Sequence, residues 1–131
     1  MKAIQHLAMN CRDIRRSEAF YAKHFGFRRA RTFNAGTGGE FVLIRLGATC
    51  LELFAAPAGA PAVEGEPAVG FKHLAFEVPD LEAMRKQLAA DGVAVGDTID
   101  CTSILSGMKV CFFKDPDGNL LEIMQGYKDQ V

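Results

Sequence analysis

The sequence predicts an α+β fold built from two βαβββ modules, and three observations support this prediction. The segments His6–Asp13 and His73–Asp80 form an internal repeat, because both begin His-Leu-Ala and both place an Asp seven residues after the His. In each half, a helical pattern follows that Asp and stops near a glycine. Three strand-like runs then follow in each half, so the whole pattern occurs twice.

The two helices are predicted over Ile14–Phe25 and Leu81–Asp91. The Asp of each repeat is a suitable N-cap, because its carboxylate accepts the free amide protons of the first helical turn. Gly26 and Gly92 are suitable end points, because glycine readily adopts the left-handed conformation that ends a helix. Apolar residues at spacings of three and four give each helix one apolar face.

The remaining strands follow each glycine, and the last two are joined by the turn sequence Asp-Pro-Asp-Gly. Neither module alone buries much surface, so we expect them to pack as one domain over residues 1–131. Module one covers about 1–56, a connector rich in Ala, Pro and Gly covers 57–69, and module two covers about 70–126. The predicted strands after the helices are Phe27–Asn34, Glu40–Leu46, Thr49–Ala55, Val93–Asp100, Met108–Lys114 and Asn119–Gln125.

Composition excludes several classes of function. The 131 residues carry a formal net charge of -1, which gives no overall field to attract nucleic acid or an anionic membrane. No apolar run approaches the roughly 20 residues needed to cross a bilayer. The first residues do not resemble a signal peptide, so we expect a cytoplasmic protein.

Two smaller features need an interpretation. Four cysteines occur without any Cys-x-x-Cys pair, which argues against a zinc knuckle and favours buried thiols in a reducing compartment. Arg28, Arg29 and Arg31 form the one basic cluster. It is either a solvated strand edge or a place where an anionic substrate group is held.

Two histidines and two glutamates occupy matching positions of the halves, at the first and last strands: His6, Glu52, His73 and Glu122. Taken singly, a strand His is usually a packed core residue, and a strand Glu usually lies on a solvated face. Each Glu is flanked by apolar residues, however, and a carboxylate is costly to bury without a partner. If a pseudo-two-fold axis relates the modules, the four side chains can converge on one divalent metal, since imidazole and carboxylate bind Zn, Ni, Co, Mn or Fe.

Strand alternation divides the residues around these ligands into two faces, because side chains two apart share a face. The faces opposite the ligands are uniformly apolar and should pack under the helices; they carry Leu7, Met9, Leu51, Leu53, Leu74, Phe76, Leu121 and Ile123. The ligand faces should line a pocket for a small molecule. Candidate pocket residues are Asn10, Phe54, Thr102, Met108 and Met124.

The chain resembles the vicinal oxygen chelate superfamily, the group that contains glyoxalase I. The resemblance covers nearly the whole chain, and its marks are His6, the run Ser17–Tyr21, Glu52 in Leu-Glu-Leu, the run Phe71–Phe76 and the run Phe112–Glu122. It implies two βαβββ modules forming a cupped sheet around one divalent metal. It also implies a homodimer, in which the cups can be completed across the subunit boundary.

The family's usual metal positions match this chain at His6, Glu52, His73 and Glu122. This ligand set resembles glyoxalase I and related isomerases and epimerases, with Zn, Ni, Co or Mn favoured over Fe. The resemblance implies an enzyme that shifts a proton next to a carbonyl or hydroxyl of a small hydroxy-carbonyl substrate. Glu52 or Glu122 would be the general base, and the symmetry of the sequence leaves that choice open.

Several alternatives stay open. A lactoylglutathione lyase of the glyoxalase I type is disfavoured by the missing Arg after the first His and the missing Asn after the first Glu. Fe(II) dioxygenases of the family use two His and one Glu, and fosfomycin thiol transferases use three protein ligands. Methylmalonyl-CoA epimerase usually has Gln where Glu52 stands. Drug-binding resistance proteins lack the metal ligands that this chain has.

Overall fold

The computed structural model of the chain describes residues 3–34, 36, 39–62 and 69–130. The chain divides into two compact units, Met1–Ala62 and Val63–Val131. Each unit contains one helix and one four-stranded sheet with both parallel and antiparallel pairs. The prediction of an α+β fold with two modules is therefore confirmed.

The first unit consists of β1 (Leu7–Cys11), α1 (Ile14–Phe25), β2 (Arg28–Asn34), β3 (Glu40–Leu46) and β4 (Thr49–Ala55). The strand order across the sheet is β1-β4-β3-β2. The first strand runs parallel to β4, and the other neighbours are antiparallel. The helix crossover between β1 and the hairpins allows this one parallel pair.

The second unit repeats this order with β5 (Leu74–Glu77), α2 (Leu81–Ala90), β6 (Ile99–Asp100), β7 (Lys109–Lys114) and β8 (Leu120–Gln125). Its strand order is β5-β8-β7-β6, again with a parallel first pair. The two units therefore share one topology, as the repeat predicted.

Both predicted N-caps are confirmed. The Asp13 carboxylate accepts hydrogen bonds from the backbone N–H groups of Arg15 and Arg16 at 2.9 and 3.2 Å. The Asp80 carboxylate accepts one from Ala83 at 3.0 Å. Helix α1 ends at Gly26, whose φ of 77° is left-handed, as predicted.

Helix α2 ends one residue earlier than predicted, with Asp91 as its C-cap. The faces opposite the ligands form the core, as expected: Leu51 and Leu53 on β4, and Leu121 and Ile123 on β8, have no exposed surface. Helix α1 packs on β3 and β4, and α2 packs on β7 and β8. The corresponding residues of β1 and β5 are half-buried.

The predicted strand Val93–Asp100 is wrong over most of its length, because only Ile99 and Asp100 form β6. The backbone of Gly96 explains the irregular segment. Its N–H donates to the Phe112 carbonyl at 2.9 Å, while its own carbonyl accepts from the Arg85 guanidinium at 2.9 Å. A carbonyl that faces the helix cannot take part in a regular strand ladder.

Smaller differences concern strand ends and the connector. Both predicted ligand histidines lie one residue before their strands, and three further strands begin one residue later than predicted. Residues 63–68 of the predicted connector lie outside the described residues. All four cysteines are buried and none forms a disulfide. No helix in the described part of the chain is long and apolar enough to cross a membrane.

Candidate metal centre

The first unit brings His6 and Glu52 together. The His6 Nε2 lies 3.2 Å from Glu52 Oε2, with side-chain exposures of 38% and 15%. Strand β1 runs parallel to β4, with Ala8 as the Cα partner of Glu52. Because Ala8 is small and follows His6 by two residues, the imidazole can reach forward to the carboxylate on the same face.

The second unit repeats this arrangement with His73 and Glu122. The His73 Nε2 lies 3.0 Å from Glu122 Oε2, with exposures of 26% and 9%. Ala75 is the Cα partner of Glu122, two residues after the histidine. The His73 ring also packs edge-on against Phe112, with ring centroids 5.5 Å apart. The second pair is therefore the more buried of the two.

These distances are compatible with metal ligation. Two ligand atoms about 2.1 Å from one ion, at angles between octahedral and tetrahedral, lie roughly 3.0–3.4 Å apart. The His6 Nδ1 contacts the side-chain amide oxygen of Gln5. An imidazole that contacts a neighbouring side chain through Nδ1 can offer Nε2 to a metal ion. Imidazole nitrogen and carboxylate oxygen are both ligand types that divalent metals take, so the residues fit a metal ion.

The structure thus joins the four predicted ligands as two pairs, one in each unit. Among residues 3–34, 36, 39–62 and 69–130, no group of three or more His, Cys, Asp or Glu side chains is placed to hold a metal ion. The convergence of all four on one ion remains a prediction. Each pair supplies one nitrogen and one carboxylate, which is half of the expected ligand set.

The predicted pocket residues lie either on the sheet faces that carry the glutamates or in the turn after β6. Asn10 is the Cα partner of Phe54, on the Glu52 side of the first sheet, and Met124 shares the Glu122 side of the second. Thr102 is exposed, and its N–H donates to the Asp100 carboxylate at 2.8 Å. Hydrogen bonds from the Thr102 side chain and from its backbone N–H lower the pKa of Asp100. Met108, which is half-buried, closes the same turn.

A row of three aromatic side chains, which the residue pattern did not indicate, lies on the Glu52 side of the first sheet. Phe33 stacks on Phe41 with ring centroids 4.7 Å apart, and Phe41 stacks on Phe54 at 4.5 Å. All three rings are half-buried. Alternation along each strand could have placed them on one face, but only the register between strands aligns them.

Two further groups have structural roles. The Arg29 guanidinium binds the Glu18 carboxylate of α1 through both its Nε and Nη2 atoms. This contact lowers the pKa of Glu18 and raises that of Arg29. Burial raises the pKa of the Cys111 thiol, so this cysteine stays protonated and is a poor nucleophile.

Relatives of the chain include YwkD of Bacillus subtilis strain 168, which is named an uncharacterized protein. It is 32% identical over 127 residues, covering 95% of this chain and 98% of its own length. A glyoxalase family protein from Enterococcus faecalis has a solved structure with a TM-score of 0.78 and 29% identity, over 94% of this chain and 97% of the other. These similarities span essentially the full length of each protein.

A third similar protein is the lactoylglutathione lyase of Agrobacterium tumefaciens. Its structure has a TM-score of 0.66 and 25% identity, over 96% of this chain and 95% of the other. The family model described as Glyoxalase/Bleomycin resistance protein/Dioxygenase superfamily matches residues 3–123. The fold, the duplicated His–Glu pair and this match agree, and the chain belongs to the Glyoxalase/Bleomycin resistance protein/Dioxygenase superfamily.

Proposed function

We propose that this protein is a metal-dependent enzyme of the isomerase or epimerase type, acting on a small hydroxy-carbonyl compound. The main support for this proposal is the His–Glu pair that occurs in both units. A histidine Nε2 and a glutamate oxygen lie 3.2 Å apart in one unit and 3.0 Å apart in the other. Together the pairs would supply two imidazoles and two carboxylates to one divalent ion. Zn, Ni, Co or Mn suits this ligand set, and Fe suits it less well.

The assembly that we propose is a homodimer. Each pair offers only two ligands, whereas a catalytic zinc site usually has three protein ligands and a structural site four. A complete centre therefore needs both kinds of pair, either from one chain or across the boundary between two copies. The family resemblance favours a dimer in which a boundary of this kind completes the centre.

When bound, the metal would act as a Lewis acid that polarises a substrate carbonyl or hydroxyl oxygen and so acidifies the neighbouring C–H bond. The chain supplies the base that removes this proton. We assign that role to Glu52, because its side chain is more exposed than that of Glu122. Its carboxylate would hold the proton and return it to the neighbouring carbon or to the other face.

A lyase of the glyoxalase I type is the second candidate. It is favoured by the similarity to the lactoylglutathione lyase of Agrobacterium tumefaciens over nearly the whole chain. The same glutamate base would serve this reaction, so the two candidates differ in substrate and not in the proton transfer. Adding glutathione with methylglyoxal tests the lyase directly.

The first experiment is elemental mass spectrometry on untagged protein, comparing the wild type with His73→Ala. We expect about one equivalent of Zn, Ni, Co or Mn per chain in the wild type, and a loss of most of it in the variant. His24→Ala is the matched control, because His24 lies at the end of α1 against Phe20 and outside both pairs. It should keep the metal.

The second readout is exchange of substrate C–H hydrogen with deuterated water on a panel of small hydroxy-ketones. Glu52→Gln should abolish exchange because it removes the base. Glu122→Gln should act through loss of the metal, so that metal content falls before exchange does. Retained exchange in both variants would contradict the assigned chemistry. Iron as the bound metal would point to a dioxygenase, and no metal after reconstitution would point to a ligand-binding protein.

A further inference from the structure

A β-bulge divides the arginine cluster of the first unit between the two faces of its sheet. The register between β2 and β3 shifts between Arg29 and Arg31, so that Arg29 pairs with Ile44 and Arg31 pairs with the next residue back, Leu43. Neighbouring residues on β3 point to opposite faces. Arg29 therefore turns to the helix side, where Glu18 binds it, and Arg31 turns to the side of Glu52.

Arg31 lies in the same cross-strand row as the proposed catalytic base. Leu43 is the Cα partner of Arg31 on one side and of Glu52 on the other. Directly paired residues share a face, and neighbouring strands are about 4.8 Å apart. The row therefore separates the backbones of Glu52 and Arg31 by about 10 Å, which is the span of a small aromatic molecule.

The three stacked phenyl rings form the neighbouring row on the same face. Phe33 is the Cα partner of Phe41, and Phe54 stacks on Phe41 from β4, two residues after Glu52. The Arg31 guanidinium lies over the Phe33 ring, 5.7 Å from its centroid. The phenyl row thus runs beside the whole line from the carboxylate to the guanidinium, and it offers an apolar wall to a planar molecule.

Two further arginines lie on this face, in the next cross-strand row. Arg28 and Arg45 are Cα partners on the same side as Arg31. Neither they nor Arg31 forms an ion pair with an acidic residue in the part of the chain that the structure describes. A guanidinium over an aromatic ring and without an acidic partner suits an anionic group.

We propose that the substrate is an aromatic or similarly planar hydroxy-carbonyl compound with an anionic group at its far end. Its hydroxy-carbonyl end lies at the His6–Glu52 pair, its planar body lies along the phenyl row, and its carboxylate or phosphate binds Arg31. This inference rests on the proposed function and adds the substrate class to it. It also assigns Arg31 as a specificity-determining residue.

The test uses two matched probes of nearly the same shape, 4-(hydroxyacetyl)benzoate and 4-(hydroxyacetyl)benzamide, of which only the first is charged at the far end. Their dissociation constants are measured by titration calorimetry on the full chain, both metal-depleted and metal-loaded. We expect the wild type to bind the benzoate about tenfold more tightly, as a charge-assisted hydrogen bond provides. Arg31→Gln should remove this preference and leave benzamide binding unchanged.

Control variants separate local recognition from general charge. Arg16→Gln removes the same charge from α1, which packs on the other face of the sheet, and should keep the preference. Phe41→Leu should weaken both probes to the same extent, because it removes the middle ring of the row. A preference that persists in Arg31→Gln, or that Arg16→Gln abolishes equally, would overturn the proposal.

The proposed function and the proposed substrate class can be refuted separately. Loss of the preference in Arg31→Gln with no metal bound and no deuterium exchange would refute the proposed function but keep Arg31 as an anion-binding residue. Metal binding and exchange without any effect of Arg31→Gln would keep the enzyme and refute the substrate class. Metal-depleted protein provides the readout that does not depend on activity.

Discussion

Each half of this protein has a His–Glu pair and an apolar sheet face under its helix, but the halves differ in the outermost strand of the sheet. In the first half this strand, β2, has seven residues and carries Arg31 and Phe33. In the second half β6 has only two residues, and an irregular segment at Gly96 replaces the rest. The inner strands carry the same residue pair in both halves, whereas the outer strand differs between them.

In each half a charged side chain of the helix binds the outermost segment of the sheet, but the helix residue is acidic in the first half and basic in the second. In the first half the acidic Glu18 of α1 binds Arg29 of β2. In the second half the basic Arg85 of α2 binds the Gly96 carbonyl at 2.9 Å and Asp97 at 3.3 Å. The contact between the Glu18 and Arg29 side chains leaves the backbone hydrogen bonds of β2 intact. The contact of Arg85 with the Gly96 carbonyl removes that carbonyl from the hydrogen bonds between strands.

The halves also differ at Gly126, whose counterpart in the first half is Ala56, and a substitution there should change the free energy of unfolding most. Gly126 has a φ of 82°, and a Cβ there would lie 2.4 Å from the Gly107 carbonyl oxygen. Gly126→Ala should therefore lower the free energy of unfolding by about 3 kcal/mol, since left-handed strain and overpacking add. Chemical denaturation measures it.

Gly118→Ala is the control that measures only the cost of a left-handed backbone at a residue with a side chain. Gly118 also has a positive φ, of 90°, but a Cβ there would meet nothing within 4 Å. This variant should cost only about 1 kcal/mol. Equal effects of the two variants would mean that the turn around Gly107 does not pack on the end of β8.

A smaller effect is expected at Gln5, which holds the Nδ1 atom of His6. The corresponding residue of the second half is Lys72, and in that half Phe112 packs against the histidine ring. Gln5→Ala should weaken zinc binding about tenfold, as the loss of such a supporting contact usually does. Ile4→Ala, at an exposed residue of the same segment, is the control and should leave the affinity unchanged; competition with a chelator measures both.

The smallest effect concerns the ion pair between Glu18 and Arg29, and it depends on pH. Arg29 holds the pKa of Glu18 below its ordinary value of 4.5, so the pair stabilises the fold above that pH and loses its effect as the pH falls below it. Glu18→Gln should cost about 0.5 kcal/mol at pH 7, since the pair is partly exposed. At pH 3 the difference from the wild type should shrink, as denaturation at both values would show.

Sequence alone determined the repeated topology, both N-caps, the strands β3 and β4 to the residue, and the apolar faces under the helices. These features follow from local rules: periodicity of two or 3.6, an Asp before a helix and glycines after it. The repeat placed His6, Glu52, His73 and Glu122 at matching positions, but the contacts of His6 with Glu52 and of His73 with Glu122 within each unit come from the structure.

The tertiary structure alone decided the outer strands and the wall beside Glu52. The bulge at Ala30 moves Arg31 to the face opposite Arg29, although alternation by itself would place the two together. The Gly96 carbonyl leaves the ladder because Arg85 lies within reach on a helix 11 residues earlier in the chain. Register and contacts between elements are not local properties, so residue patterns along one strand do not contain them.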